Sequence, residues 1–157
     1  MNTLEITKEA ALKAHDEAND KGKALLENLL GKKVFVKDIK DRIKSFDDVL
    51  DHLEIDKDEF KNECEGLSSD EIAYKQVKLI VNALNEGWVP DWTNSSQYKY
   101  FPWFKMGSSS GSGFSYSDCA DWIAVSAVGS RLCFKNRELA EYAGKQFTDI
   151  YKQYMTI

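Results

Sequence analysis

Two histidines, three cysteines and a few neighbouring carboxylates are the residues of this chain whose chemistry could extend beyond packing. His15 and His52 both fall in helical stretches among acidic residues, away from any glycine-rich turn or nucleophile motif, so they read as ordinary surface histidines. Cys64, Cys119 and Cys133 are odd in number and lack a CxxC or Cys/His spacing suited to zinc, which predicts reduced, buried thiols instead of a disulfide framework. A thiolate and imidazole pair from Cys64 and His52 could form only through the fold. Asp47 with Asp48, and Asp56 with Asp58, could approach a hard cation. The stretch from Asp56 to Cys64 nevertheless lacks the sixth-position glycine and twelfth-position glutamate of an EF-hand loop, leaving a solvated acidic helix surface as the reading. The run Gly107 to Gly113, rich in serine and glycine, is followed by no Gly-Lys-Ser/Thr and lies between strands, which predicts a mobile hairpin tip and not a phosphate loop. No catalytic residue, metal site or cofactor is assigned, and the chain reads as a non-enzyme.

The elements that must position these residues belong to a chain of 157 residues, 43% hydrophobic, 30% charged and 12% aromatic, with 21 basic and 26 acidic side chains. That is enough chain for a buried core in one domain, residues 1–157. A net charge of -5 argues against a surface devoted to polyanions. No window approaches the roughly 18 apolar residues of a membrane span, and the first residues lack the basic and apolar segments of a secretory signal. A cytoplasmic location is the default expectation.

Composition divides the chain near Leu67. Residues 1–67 carry 12 basic and 17 acidic side chains, whereas residues 68–157 carry nine of each and 16 of the 19 aromatics. The acidic part reads as helices. One runs from Thr7 to about Leu30 with an inward stripe of Ala11, Ala14, Ala18, Gly22, Leu25, Leu26 and Leu29. A short strand is expected at Val34 to Val36. Ser45 with Asp48 forms a capping box, and a further turn after Asp56 buries Phe60. Ser68 with Glu71 opens the clearest helix, Ser69 to Glu86, which Pro90 prevents from continuing.

From Tyr98 the period changes. Tyr98 to Phe104 and Phe114 to Val125 suggest a hairpin, Arg131 to Phe134 a third strand, and Asn136 the cap of a closing helix that runs to Tyr154. The expected fold is α+β: N-terminal helices packed with a three-stranded antiparallel sheet and a closing helix, in β-β-β-α order.

The segments Asn82 to Trp92, Tyr98 to Phe104, Gly129 to Lys135 and Glu138 to Gly144 resemble a group of small proteins of gut bacteria and their phages or mobile elements. The resemblance extends to the opening Leu4 to Ala10 and to Ile39 to Phe46. No activity attaches to the group, so the resemblance implies an accessory protein of the kind carried by mobile elements, and transfers no site residue.

The aromatic cluster is the main anomaly. Trp88 to Phe104 holds three of the four tryptophans, with Lys99 and Lys105 interleaved. Neighbours on a strand face opposite sides, so Tyr100 and Phe101 cannot share one core, nor can Trp103 and Phe104. The surplus ring surface finds its cover in the N-terminal helices, in another copy of the chain, or in a foreign partner. For the latter two, Trp92, Tyr100, Trp103, Lys105 and Arg131 are the candidate binding residues. They would anchor a protein partner or homo-oligomer. The alternative is a single-stranded nucleic acid, with bases stacked on the rings and phosphates held by Lys99, Lys105, Arg131, Lys135 and Arg137.

Overall fold

A computed structural model describes residues 6–157; the first residues of the Leu4 to Ala10 opening lie outside them. The chain forms two compact units, one ending at Arg42 and one beginning at Ile43. The compositional boundary at Leu67 therefore falls inside the second unit. Counted by unit, the first carries nine basic and eight acidic residues, and the acidic excess belongs to residues 43–67, with nine carboxylates against three cations.

In the first unit the expected single helix is two: α1 (Lys8–Glu17) and α2 (Asp20–Leu30). Thr7 caps α1, accepting from the Ala10 N–H at 3.2 Å. The break follows because Ala18 is extended and Asn19 starts a new helix, its side chain accepting from the Gly22 N–H at 3.0 Å. Asparagine competes for backbone donors in this way wherever a cap geometry is available. The interruption disperses the expected stripe: Ala11 is buried, but Leu25 and Leu29 are 59% and 70% exposed. Val34 to Val36 forms no strand. Gly31 takes a positive φ of 84° and a 3-10 turn, Lys32–Phe35, follows it. That turn lays Phe35 on the His15 ring, with centroids 4.2 Å apart, while His15 Nε2 lies 3.1 Å from Glu27 Oε1. Helix α3 (Ile39–Arg42) ends the unit.

The second unit is built around α6 (Ser69–Asn85), whose Ala73, Val77, Ile80, Val81 and Leu84 are buried at helical spacing. Its start is fixed as expected: the Glu71 carboxylate accepts from the Ser68 N–H and hydroxyl, each at 2.8 Å. Before it come α4 (Phe46–His52), opened by the Ser45 and Asp48 capping box, and α5 (Lys57–Glu63), capped by Asp56. Phe60 is half-buried and packs on Phe46 at 5.2 Å. The closing helix is again divided, into α7 (Arg137–Gln146) and α8 (Thr148–Met155), which meet at Phe147. Asn136 caps α7, accepting from the Leu139 N–H at 2.9 Å. Helix α6 packs against α4, α7 and α8.

The α+β class holds, but the sheet has two strands among the described residues, not three: β1 (Lys99–Lys105) and β2 (Ser115–Trp122), antiparallel. The expected third strand is a 3-10 turn, Ser130–Leu132, entered through Gly129 at φ 72°. Only Phe134 still pairs, exchanging both backbone bonds with Tyr100 at 3.1 and 2.7 Å. The flanking Cys133 carbonyl and Lys135 N–H go instead to the buried Asn85 side chain, at 2.9 and 3.0 Å. One amide thus takes the place of a neighbouring strand, and the ladder stops after a single bridge.

Helix α7 covers one hairpin face closely. A Cβ on Gly144 would stand 2.6 Å from the Tyr116 ring and 2.8 Å from Pro102 Cβ, so the helix sits where only glycine fits. Pro102 is tolerated because Tyr100 shows that this edge of β1 alternates away from β2, and the missing donor interrupts no β1–β2 bond. The serine and glycine run is no free hairpin tip. Ser108 and Ser112 bond across it, Ile157 donates to the Ser109 carbonyl at 3.1 Å, and a Cβ on Gly111 would meet Lys152 Cε at 2.6 Å.

Candidate functional site

Lys99 is fully buried at the start of β1. Its ammonium donates to the carbonyls of Asp91 at 2.5 Å, Gln97 at 2.7 Å, Ile123 at 2.9 Å and Asn94 at 3.3 Å, and lies 5.2 Å from the centre of the Trp92 ring. Three N–H bonds are shared among four acceptors, with no carboxylate in the cage. The loop is closed by local bonds as well. Asp91 Oδ1 accepts from the Thr93 N–H and hydroxyl at 2.9 and 2.7 Å, which holds its carboxyl below the ordinary range, and Gln97 Oε1 accepts from the Asp91 N–H at 2.7 Å. Trp92 Nε1 donates to Ser130 Oγ at 2.6 Å and ties this loop to the 3-10 turn. Lys99 and Trp92 are therefore framework: neither the ammonium nor the indole N–H is available to a phosphate.

The hairpin sorts the remaining rings between its faces. Phe104 turns to the covered side, 4.9 Å from both Phe114 and Tyr151, with Tyr116 edge-on at 6.2 Å. Trp103 and Phe101 alternate to the other side. There Trp122 stacks parallel on Phe101 at 6.2 Å, covering it diagonally across the strands. Trp103 is 54% exposed and Trp122 36%, so two indoles on one hairpin face stand in solvent. A register shift between Trp103 and Phe104 accompanies the change of side.

The five residues singled out in the sequence do not form one site. Tyr100 is half-buried beside Tyr98 and bonded to Phe134, Trp92 is in the Lys99 loop, and Lys105 is exposed at the end of β1 opposite Ser115. Arg131 is exposed in the 3-10 turn, one residue from the Trp92 bond to Ser130. Only Trp103 and Lys105 share a strand end. Trp122 escaped the sequence reading: it pairs with Lys99 at the far end of β1, a register that spacing alone does not give.

A second feature was also missed, an open groove of about 620 Å³ beside α6. Lys75, Lys78 and Asn82 line it from that helix, Glu54, Glu59 and Glu63 from the α4–α5 side, and Trp88 and Arg131 from the segments beyond, so its carboxylates and cations are equal in number.

The titratable groups considered for chemistry have structural partners. Asp48 and Asp56 cap helices, Asp47 pairs with Lys57 at 2.9 Å, and all three thiols are free and buried. Burial pushes the Cys119 and Cys133 thiols up to about 11. Among the described residues, no group of three or more His, Cys, Asp or Glu side chains is arranged to hold a metal, and no helix is long and apolar enough to cross a membrane.

These features define an α+β protein whose aromatic hairpin is covered on one side by helices and leaves Trp103 and Trp122 exposed on the other. No family model, curated protein or solved structure matches the chain.

Proposed function

We propose that the chain is a non-enzymatic interaction protein that presents the open hairpin face to a protein partner or to a second copy of itself. The observation that carries the reading is the pair Trp103 and Trp122, large rings left in solvent on one face while their neighbours are packed. Tryptophans of this kind are the commonest anchors of protein interfaces, and truncating one costs about 2 kcal/mol or more of binding. An accessory role also fits the resemblance to small proteins of phages and mobile elements. The nucleic-acid alternative is weakened because Lys99 is locked in carbonyls and Arg131 faces a different part of the unit.

The test is a photocrosslinking phenylalanine placed at Trp103 in cells of the native host, with Asp149 on the exposed side of α8 as the control position. A discrete adduct, with a foreign protein or with the chain itself, is expected from position 103 and not from 149. Equal or absent crosslinking at both positions refutes the proposal.

A further inference from the structure

We infer that Asp118 and Arg137 plug the free edge of β2, and that without them the hairpin pairs edge to edge with β2 of a second copy. This edge is separate from the hairpin face that carries Trp103 and Trp122. In an antiparallel ladder, opposed residues alternately exchange bonds and turn their backbone groups away from each other. Tyr100 exchanges both of its bonds with Phe134, and Pro102 has no N–H to offer β2. Their partners across the ladder are Asp121 and Cys119, whose backbone groups therefore point to the outer edge. No strand pairs with that edge among the described residues. Such an edge is a template for another strand, and β2 runs for eight residues without the proline or lysine that commonly blunts one.

The plug sits on the regular stretch that follows the register shift. The Cys119 N–H donates to Asp118 Oδ1 at 2.7 Å, and Arg137 Nη2 donates to the Cys119 carbonyl at 3.2 Å. Arg137 Nη1 also reaches Asp118 Oδ1 at 3.2 Å, so two side chains joined to each other occupy both edge groups of one residue. An arriving strand finds donor and acceptor taken.

The position of Arg137 is the second argument. It is the first residue of α7, where the helix already carries partial positive charge and a cation opposes the macrodipole. Helix stability gives no reason for an arginine there, whereas its reach to the strand edge does. Glu141, one turn on, accepts from Nη1 at 3.3 Å and steadies the guanidinium. The bond from the Cys119 N–H, together with Arg137, holds the Asp118 carboxyl below the ordinary range, so the pair stays charged at neutral pH.

A second copy is the occupant because the edge is self-complementary. A two-fold pairing centred on Ala120 sets Cys119 of one copy against Asp121 of the other, where each pair can exchange two bonds. Only two methyl groups then meet at the axis.

Sedimentation equilibrium of the full chain tests the plug. The double variant Asp118→Ser, Arg137→Gln changes two exposed positions and keeps a helix former in α7. It should self-associate about tenfold or more tightly than wild type, the equivalent of one or two net hydrogen bonds. Adding Asp121→Pro should restore the wild-type mass, since it removes an outward N–H and interrupts no β1–β2 bond. Trp103→Ser should leave the added association in place, which separates this edge from the open hairpin face. Amide exchange of wild type gives a reading that needs no variant: the Cys119 N–H should exchange about tenfold or more slowly than the Asp121 N–H, although both point outward. The inference is overturned if the double variant sediments as wild type does, or if its association survives Asp121→Pro or is lost with Trp103→Ser. Equal exchange at Cys119 and Asp121 in wild type would overturn it as well.

Discussion

Replacing Lys99 with methionine should cost the second unit about 2–4 kcal/mol. Methionine keeps an unbranched stem in the same space, so packing is largely conserved and the change isolates the ammonium. Two terms oppose one another. Removing a buried charge recovers its desolvation penalty, several kcal/mol for an ion taken from water. Against this, the carbonyls of Asp91, Asn94, Gln97 and Ile123 lose a donor that lies 2.5 to 3.3 Å away. Each buried acceptor left without a partner costs about 1–3 kcal/mol, and bonds to a charged donor are the stronger kind. The carbonyls converge on one point and cannot pair with each other. Hydration of the loop offsets part of the loss, because its residues Asn94 to Ser96 are exposed, which brings the sum down from the full fourfold penalty. Urea unfolding followed by tryptophan fluorescence measures the difference, with Trp92 a local reporter 5.2 Å from the ammonium. Amide exchange over Asp91 to Gln97 should accelerate in the same variant. Lys99→Arg should not rescue, since a planar fork cannot aim its donors at carbonyls arranged around one centre. The control is Lys105→Met, at the exposed end of the same strand, expected within about 0.5 kcal/mol of wild type. Equal stability of the two methionine variants would refute the claim that the ammonium holds the loop.

Three further outcomes follow from the packing. Gly144→Ala gains about 1 kcal/mol of helix propensity but drives a methyl into Tyr116 and Pro102, an overpacking cost of about 1–3 kcal/mol; thermal unfolding should show a net loss, and a rise in Tm would mean that α7 can lift off the hairpin freely. Tyr151 is buried with its hydroxyl unbonded among the described residues, whereas Tyr142 donates to the Ile43 carbonyl at 2.5 Å. Tyr151→Phe should therefore be neutral or stabilising by up to about 1 kcal/mol and Tyr142→Phe destabilising by about 1 kcal/mol, and denaturant midpoints in the reverse order would contradict the assignment. Because burial raises the Cys119 and Cys133 thiols to about 11 from an ordinary 9, the unfolded chain releases these protons first. Stability is complete below pH 9 and declines toward pH 11, by about 2–3 kcal/mol for each thiol. Replacing Cys133 with alanine should flatten that decline, and an unchanged slope would locate it elsewhere.

The parts of the fold that were legible in the sequence are those decided within a few residues. Ser45 with Asp48, Ser68 with Glu71 and Asn136 each satisfy donors three positions away, so the helix starts follow from spacing alone. What could not be read depends on residues brought together by the fold. Cys133 and Lys135 look like strand because nothing local shows that Asn85, some fifty positions earlier, will take their backbone bonds. The break at Ala18 and Asn19 was open to local reading, since asparagine followed by aspartate is a cap as well as a helix interior, but the continuous alanine and leucine stripe argued the other way.

The same distinction explains the aromatic cluster. Its density predicted surplus ring surface, and alternation along β1 correctly required Trp103 and Phe104 to part company. Most of the surplus nevertheless disappears into the interior: Phe104 enters the core formed with α8, Phe101 lies under Trp122, and Trp92 braces a loop whose centre is a buried cation. A lysine among tryptophans reads as a ligand for phosphate when its neighbours in sequence are all that is known. With four carbonyls around it, the same lysine is a fastening, and the large rings that stay in solvent on the hairpin are Trp103 and, on the partner strand, Trp122.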